Sequence, residues 1–190
     1  VGDRLKANSM YRDMLDKEGS RCWTLNYAED DGVGFHMDCL PCVPDEGRVK
    51  RNQIIMNVPW EYAQYAVGIT HKQDGGYEWL GSNPRGYAKW FDNINRHAFL
   101  RAAFKKKTLL FERAKGVYAS VEEIPDTLVR TPLQRTIQIL KRHRDWRFTG
   151  HPMEKEKPIS IIIKTMAAKS YEDDLDLYGT ILALLQLIEK

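Results

Sequence analysis

The sequence contains no apolar run that approaches the ~20 residues of a membrane-spanning helix, and no charged and then apolar leader precedes a small-residue cleavage site. We therefore expect a cytoplasmic protein with no membrane partner. Net charge is also low, because 29 lysines and arginines stand against 26 aspartates and glutamates, a balance of +3. Such a balance does not require nucleic acid as a partner, and none is expected.

Cysteine is scarce, with Cys22, Cys39 and Cys42 as the three examples. The last two have the C-x-x-C spacing of a zinc site, but no second cysteine pair or histidine pair completes one. We expect all three to be reduced and structural. The hydrophobic share of 43% in 190 residues is enough for a folded core, which argues against disorder.

The usual start and stop signals are missing from the two ends of the sequence. It opens without an initiator methionine, and residues 184–190 close it inside an apolar helical pattern with no glycine or proline stop. We expect a fragment of a longer chain.

Alternating apolar and polar residues dominate the first part of the sequence. This alternation predicts one hairpin from residues 22–27 and 33–40, and a second from residues 65–70 and 77–80 around Asp74-Gly75-Gly76. Residues 3–17 have a helical pattern, and Gly19 is expected to stop that helix.

A helical period takes over after Asn83-Pro84. Residues 86–106 carry an aromatic stripe that we expect to pack in a core, and residues 105–131 indicate a connector with a capping box at 120–123. Three further helices are expected after Thr131-Pro132, after Pro158 and from about Leu175. The predicted fold class is α+β, with a first domain over residues 1–82 and a helical domain over residues 83–190.

The stretch from Gly34 to Pro41 contains the most informative acidic residue, Asp38. Strand alternation places Asp38 on the face opposite Phe35, Met37 and Cys39, which we expect in the core. A carboxylate at a strand end can hold a metal ion, although metal-assisted phosphoryl transfer usually needs several carboxylates. The alternative is an edge-strand aspartate that pairs with a nearby cation.

Four motifs in a fixed order resemble the bacterial oligonucleotide cyclases of anti-phage signalling, the CD-NTases, which are nucleotidyltransferases related to the cyclic GMP-AMP synthases. They cover most of the chain, and each alone is weak. The motifs are residues 35–41 (FHMDCLP), residues 79–87 (WLGSNPRGY), residues 133–135 with 140–145 (LQR and LKRHRD), and residues 157–165 with 167–169 (KPISIIIKT and AAK).

The resemblance implies a polymerase-β-like nucleotidyltransferase core, a helical domain, and nucleoside triphosphates bound between them. It also implies two Mg²⁺ ions, with Mn²⁺ as an alternative, and a cyclic di- or oligonucleotide second messenger as product. Such enzymes carry a Gly-Ser turn, an Asp-x-Asp strand and a third aspartate, which Asp38 matches as metal ligand and catalytic residue.

The sequence departs from this pattern at the first two metal ligands. Gly19-Ser20 is not followed by an Asp-x-Asp strand before Asp38, and Asp174-Leu175-Asp176 opens a helix, where acidic residues complement the helix dipole. We expect the missing ligands to precede Val1, and the fragment alone to have no synthase activity. The alternative function is a catalytically dead module of the same fold that binds a nucleotide or a protein. An RNA-modifying nucleotidyltransferase ranks lower, because it predicts a broader basic groove.

Two residues are the candidates for nucleotide binding. Lys141 lies in a basic cluster late in a helix and matches a lysine that clamps triphosphate in the related synthases. Ser160 matches a serine that contacts phosphate, and the first turn of a helix attracts anions. For Lys141 the alternative is a solvated basic face, since cations are favourable near a helix C-terminus. For Ser160 the alternative is an ordinary hydroxyl in the first turn of a helix. The cluster consists of Lys141, Arg142, His143, Arg144 and Arg147.

Other conspicuous residues receive structural interpretations. Trp79 and Tyr87 flank Ser82-Asn83-Pro84, which we interpret as a packed X-Pro turn rather than a base-stacking site. His71, His97 and His151 have no metal-ligand spacing. The sequence leaves open which triphosphates are used, whether a regulatory protein binds, and the oligomeric state.

Overall fold

The computed structural model describes residues 1–30, 33–113, 129–173 and 176–189. The chain divides into two compact units, Val1–Lys89 and Trp90–Lys190. In the described residues the first unit holds two antiparallel sheets and short helices, and the second is helical. Antiparallel hairpins followed by helices are the predicted α+β arrangement, and this prediction is confirmed. None of the described helices is long and apolar enough to cross a membrane.

The first unit opens with two short helices, α1 (Gly2–Ala7) and α2 (Ser9–Arg12). Asn8 separates them, and its Oδ1 accepts from the backbone N–H of Met10 at 2.9 Å, as an N-cap does. The prediction of one helix over residues 3–17 is therefore wrong beyond Arg12. Residues 14–16 do not continue the helix, because their backbone groups hydrogen bond to the following strand.

That strand is β1 (Trp23–Asp30), which pairs with β2 (Val33–Cys39) as an antiparallel hairpin. The pairing confirms the first predicted hairpin. Thr24 lies opposite Asp38 and Asn26 opposite His36, but Glu29 lies opposite Gly34. The register therefore shifts by one residue between Asn26 and Glu29, which is the signature of a β-bulge.

A second sheet has the strand order β3-β4-β5, formed by β3 (Cys42–Pro44), β4 (Val67–Gln73) and β5 (Gly76–Ser82). The β4–β5 pair confirms the second predicted hairpin. Local sequence patterns did not predict β3 or the two helices that follow it, α3 (Arg48–Ile55) and α4 (Trp60–Ala63). These helices are short and carry no long apolar period. A side-chain contact defines the start of α3, where the Asp45 carboxylate accepts from three backbone N–H groups.

Helix α5 (Pro84–Arg113) is longer than the predicted 86–106 and contributes residues to both units. It extends into the predicted connector, whose capping box at 120–123 lies outside the described residues. The start of α5 confirms the structural interpretation of the Asn83 turn. Asn83 Oδ1 accepts from the Gly86 N–H at 2.9 Å, while its Nδ2 donates to the Tyr62 carbonyl at 2.9 Å.

The second unit continues with α6 (Pro132–Phe148), a 3₁₀ turn (Glu154–Glu156), α7 (Ser160–Lys169) and α8 (Leu177–Ile188). Thr131 caps α6 with a complete capping box, which confirms the predicted helix start. The predicted aromatic core is correct for Trp90 and Phe91 but wrong for Phe104, which is 75% exposed. The buried cluster comprises Leu133, Ile137, Ala167, Ala168 and Leu184.

A buried hydrogen bond joins α5 to the start of α6. Thr131 Oγ1 donates to Asn95 Oδ1 at 2.7 Å, and both residues are buried. The same Thr131 oxygen accepts from the Gln134 backbone N–H at 3.2 Å. One hydroxyl thus satisfies a helix terminus and a buried amide oxygen together.

Candidate functional site

Asp38 lies near the end of β2, on the polar face of the first hairpin. Its nearest cross-strand partner is Thr24, whose Oγ1 donates to Asp38 Oδ1 at 2.7 Å. Asn26 and His36 form the next pair on this face. The Asp38 carboxylate is exposed, so it is held by one internal donor while remaining accessible to a ligand from solvent.

The opposite face of this hairpin departs from the expected core. Leu25 is 3% exposed, but Met37 is 44% exposed and Phe35 is 63% exposed. Phe35 contacts the Tyr27 ring, with the ring centroids 5.3 Å apart. The prediction that Phe35 and Met37 are core residues is therefore wrong for the described part of the chain. Alternation identifies which side chains share a face, but it does not identify what covers that face.

Asp38 is not part of an acidic metal-binding cluster within the described residues. Among residues 1–30, 33–113, 129–173 and 176–189, no three His, Cys, Asp or Glu side chains come together to hold a metal ion. The described residues therefore do not fit a two-ion Mg²⁺ site by themselves, and Asp38 would be one ligand of it. Asp176 instead caps α8, accepting from the Gly179 backbone N–H at 2.8 Å. Asp174 and Leu175 lie outside the described residues.

Lys141 is placed on α6, together with Arg142, Asp145 and Trp146 around an open depression. Trp146 is strongly exposed there, and the His143 ring lies 6.1 Å from the Trp146 ring, centroid to centroid. This depression is lined by side chains of α6 and by Thr149, which follows the helix. It is an open surface on which a cation can meet an anionic ligand.

Ser160 is the first residue of α7, as the sequence predicts for the helix after Pro158. Ile159 occupies the N-cap position without a capping side-chain bond. Within the helical unit, the Ser160 hydroxyl contacts Arg144, whose Nη1 donates to Ser160 Oγ at 3.0 Å. The structure thus links Ser160 to the basic cluster that contains Lys141.

Arg144 is the functional candidate that sequence reasoning did not separate from its neighbours. It sits among four other basic residues, so composition alone gives it no distinct role. Its contact with Ser160 spans 16 residues of sequence, across the 3₁₀ turn. The sequence feature that could have indicated this contact is the basic cluster that shortly precedes a helix opened by a proline.

The remaining candidates have structural partners. His71 Nδ1 lies 2.9 Å from Glu78 Oε1 on the neighbouring strand, and this hydrogen bond lowers the pKa of Glu78 below its ordinary value. Trp79 is half exposed, and its ring lies over Gly68 of β4. Asp38 belongs to the first unit, whereas Lys141 and Ser160 belong to the second.

Comparison with known proteins gave two similar chains, and no family model matches. A curated c-di-GMP synthase from Roseivirga ehrenbergii is 32% identical over 170 residues, which are 89% of this chain and 36% of that protein. The structure of the Bradyrhizobium diazoefficiens CD-NTase CdnG in complex with GTP superposes with a TM-score of 0.56 at 18% identity, over 90% of this chain and 45% of that one.

The resemblance to the CD-NTases is confirmed. The solved structure shares the fold, and the curated synthase shares sequence along nearly the whole chain. This chain spans less than half the length of the c-di-GMP synthase and of the solved CD-NTase. Its α+β organisation is therefore that of part of a CD-NTase fold.

Proposed function

We propose that the intact protein is a nucleotidyltransferase that joins nucleoside triphosphates into a cyclic di- or oligonucleotide second messenger in anti-phage defence. The observation that carries this proposal is the 32% identity to a c-di-GMP synthase over 89% of the chain. The GTP in the complex of the similar solved structure further supports a nucleoside triphosphate as ligand.

In this proposal Asp38 is one carboxylate ligand of a Mg²⁺ site, with Mn²⁺ as an alternative ion. Mg²⁺ prefers carboxylate oxygens, and Asp38 presents an exposed carboxylate whose Oδ1 is oriented by the Thr24 hydrogen bond. When bound, the ions would neutralise triphosphate charge and activate the attacking hydroxyl. A complete site needs further carboxylates that the described residues do not bring to Asp38.

Lys141 and Ser160 are proposed to bind the triphosphate. Ser160 begins an α-helix whose first backbone N–H groups lack helical partners and attract anions. Lys141 supplies a positive charge on α6. Neither residue acts on the reacting atoms, so both are expected to affect nucleotide affinity.

Product analysis of the intact protein with each NTP mixture and Mg²⁺ tests the proposal. We expect a cyclic product from the wild type, and we expect Asp38→Asn to reduce its formation by more than about 100-fold, since outer-shell changes alone cost about 10- to 100-fold. The asparagine amide oxygen can still accept from Thr24, so the hairpin is preserved. Asp92→Asn, at an exposed position of α5, is the matched control.

A catalytically dead module of the same fold, which binds a nucleotide or a protein, is the second candidate. The GTP in the complex of the similar solved structure is compatible with binding alone. Such a module predicts GTP or ATP binding, or capture of a protein partner, with no product under any NTP mixture. The same product assay therefore separates the two candidates.

A further inference from the structure

Arg144 is the most constrained cation of the basic cluster on α6. Its side chain is 11% exposed. Nε and Nη2 donate to Asp145 Oδ1 at 3.0 and 2.7 Å, and Nη1 donates to the Pro158 carbonyl and to Ser160 Oγ, both at 3.0 Å. A guanidinium has five N–H donors, so these contacts occupy four of them. Arg144 has little capacity left to bind a ligand directly.

Asp145 holds the guanidinium in this orientation. One Asp145 oxygen accepts two of the Arg144 donors and also lies 3.4 Å from Lys157 Nζ. The Arg144 hydrogen bond, followed by the Lys157 contact, holds the pKa of Asp145 below its ordinary range. Asp145 is therefore ionised at neutral pH, and it retains Arg144 at the start of α7.

The contact with Arg144 determines what the Ser160 hydroxyl can offer to a ligand. A serine hydroxyl has one hydrogen to donate and two lone pairs that accept. Because Arg144 donates to Ser160 Oγ, the hydroxyl hydrogen remains free to point at a separate acceptor. Phosphate oxygens are acceptors, and hydrogen bonds to charged groups are the stronger class. Arg144 thus makes Ser160 a donor matched to an anion.

We propose that Arg144 is a positioning residue for the triphosphate of the bound nucleotide. It fixes the Ser160 hydroxyl as a donor toward a phosphate oxygen, and its pairing with Asp145 keeps it from binding the phosphate itself. This inference rests on the proposed function, in which Ser160 contacts the triphosphate. It assigns to Arg144 a role that is exerted through one atom, Ser160 Oγ.

A double-mutant cycle in the intact protein tests this role, with GTP as the probe and guanosine as the phosphate-free comparator. Ser160→Ala and Arg144→Met should each weaken GTP binding about tenfold, the loss expected for one hydrogen bond to a charged group. The double variant should bind GTP no more weakly than Ser160→Ala alone. Guanosine affinity should stay constant, and Arg96→Met, at an exposed position of α5, should leave GTP affinity unchanged.

The outcomes separate this inference from the function on which it rests. If the two losses multiply in the double variant, or if Arg144→Met has no effect, the positioning role is overturned while Ser160 keeps its proposed role. If Ser160→Ala leaves GTP affinity unchanged, or if the wild type does not bind GTP, both are overturned. If the methionine variant fails to fold, Arg144→Lys replaces it in the cycle, because a single ammonium cannot contact both Asp145 and Ser160 as the guanidinium does. The same cycle then applies to the lysine variant.

Discussion

The hydroxyl of Thr24 donates to Oδ1 of Asp38 across the β1–β2 pair, over a distance of 2.7 Å. One carboxylate oxygen of Asp38 is thereby engaged within the protein, and the side chain is oriented on its strand. Outer-shell partners of this kind set the direction of a metal-binding carboxylate.

Thr24→Val should raise the Mg²⁺ concentration that gives half the maximal rate of product formation in the intact protein by about tenfold. Valine keeps the shape of threonine and removes the donor. Mg²⁺ titration of the initial rate measures the effect, and Thr24→Ser should restore the wild-type value because it keeps the hydroxyl. An unchanged Mg²⁺ requirement would show that Asp38 needs no orientation by Thr24.

Lys141→Ala should weaken GTP binding to the intact protein by about tenfold, since it removes the charged contact to the triphosphate that we propose for Lys141. Guanosine affinity should be unaffected, and the difference should shrink at high salt because Lys141 is only half-buried and salt screens its charge. Isothermal titration at two salt concentrations provides the measurement. Lys155→Ala, at an exposed position of the 3₁₀ turn, is the charge-matched control. Equal GTP affinities for Lys141→Ala and the wild type would remove Lys141 from the site.

Thr131→Val should lower the free energy of unfolding by about 2 to 4 kcal/mol. The substitution removes the N-cap of α6 and also leaves a buried amide oxygen without its hydrogen bond. Both effects arise from one hydroxyl, which serves Gln134 and Asn95 together. Urea denaturation of the chain followed by far-UV circular dichroism measures the change. Thr131→Ser retains both hydrogen bonds and should recover most of the stability. A loss below about 0.5 kcal/mol in Thr131→Val would contradict this account.

Asp145 should make a pH-dependent contribution to stability. Arg144 and Lys157 lower its folded pKa, so the contribution is present above the ordinary aspartate pKa of about 3.9 and is lost as pH falls through the folded pKa. The stability difference between the wild type and Asp145→Asn should therefore be constant from neutral pH to about pH 5, then decline as the medium becomes more acidic. Urea denaturation at a series of pH values measures it. A difference that persists unchanged at pH 2 would exclude ionic pairing as its source.

Local sequence patterns predicted the elements whose signals are themselves local. Alternation and turn residues gave both hairpins, and Thr131 with Pro132 gave the start of α6. The helix over residues 3–17 failed beyond Arg12, because backbone pairing of residues 14–16 with β1 is a tertiary event. Local propensity does not report such competition.

The sequence predicted where Asp38 and Ser160 lie in the fold, but not what they contact. Asp38 was identified as a strand carboxylate from alternation and resemblance, but its hydrogen bond to Thr24 depends on the register of the hairpin. Ser160 was placed at a helix start, while its hydrogen bond to Arg144 depends on the path of the chain between α6 and α7. The strand register and the path between these helices are set by packing between residues far apart in sequence. Local patterns in a single sequence do not specify that packing.

The β-bulge between Asn26 and Glu29 separates the Asp38 end of the hairpin from its tip. A one-residue change beyond the bulge alters the pairing near the tip, whereas the Thr24 pairing with Asp38 lies on the other side of the irregularity. A substitution at Gly34, which lies beyond the bulge, can therefore alter the local pairing of the hairpin while Thr24 and Asp38 stay opposite each other.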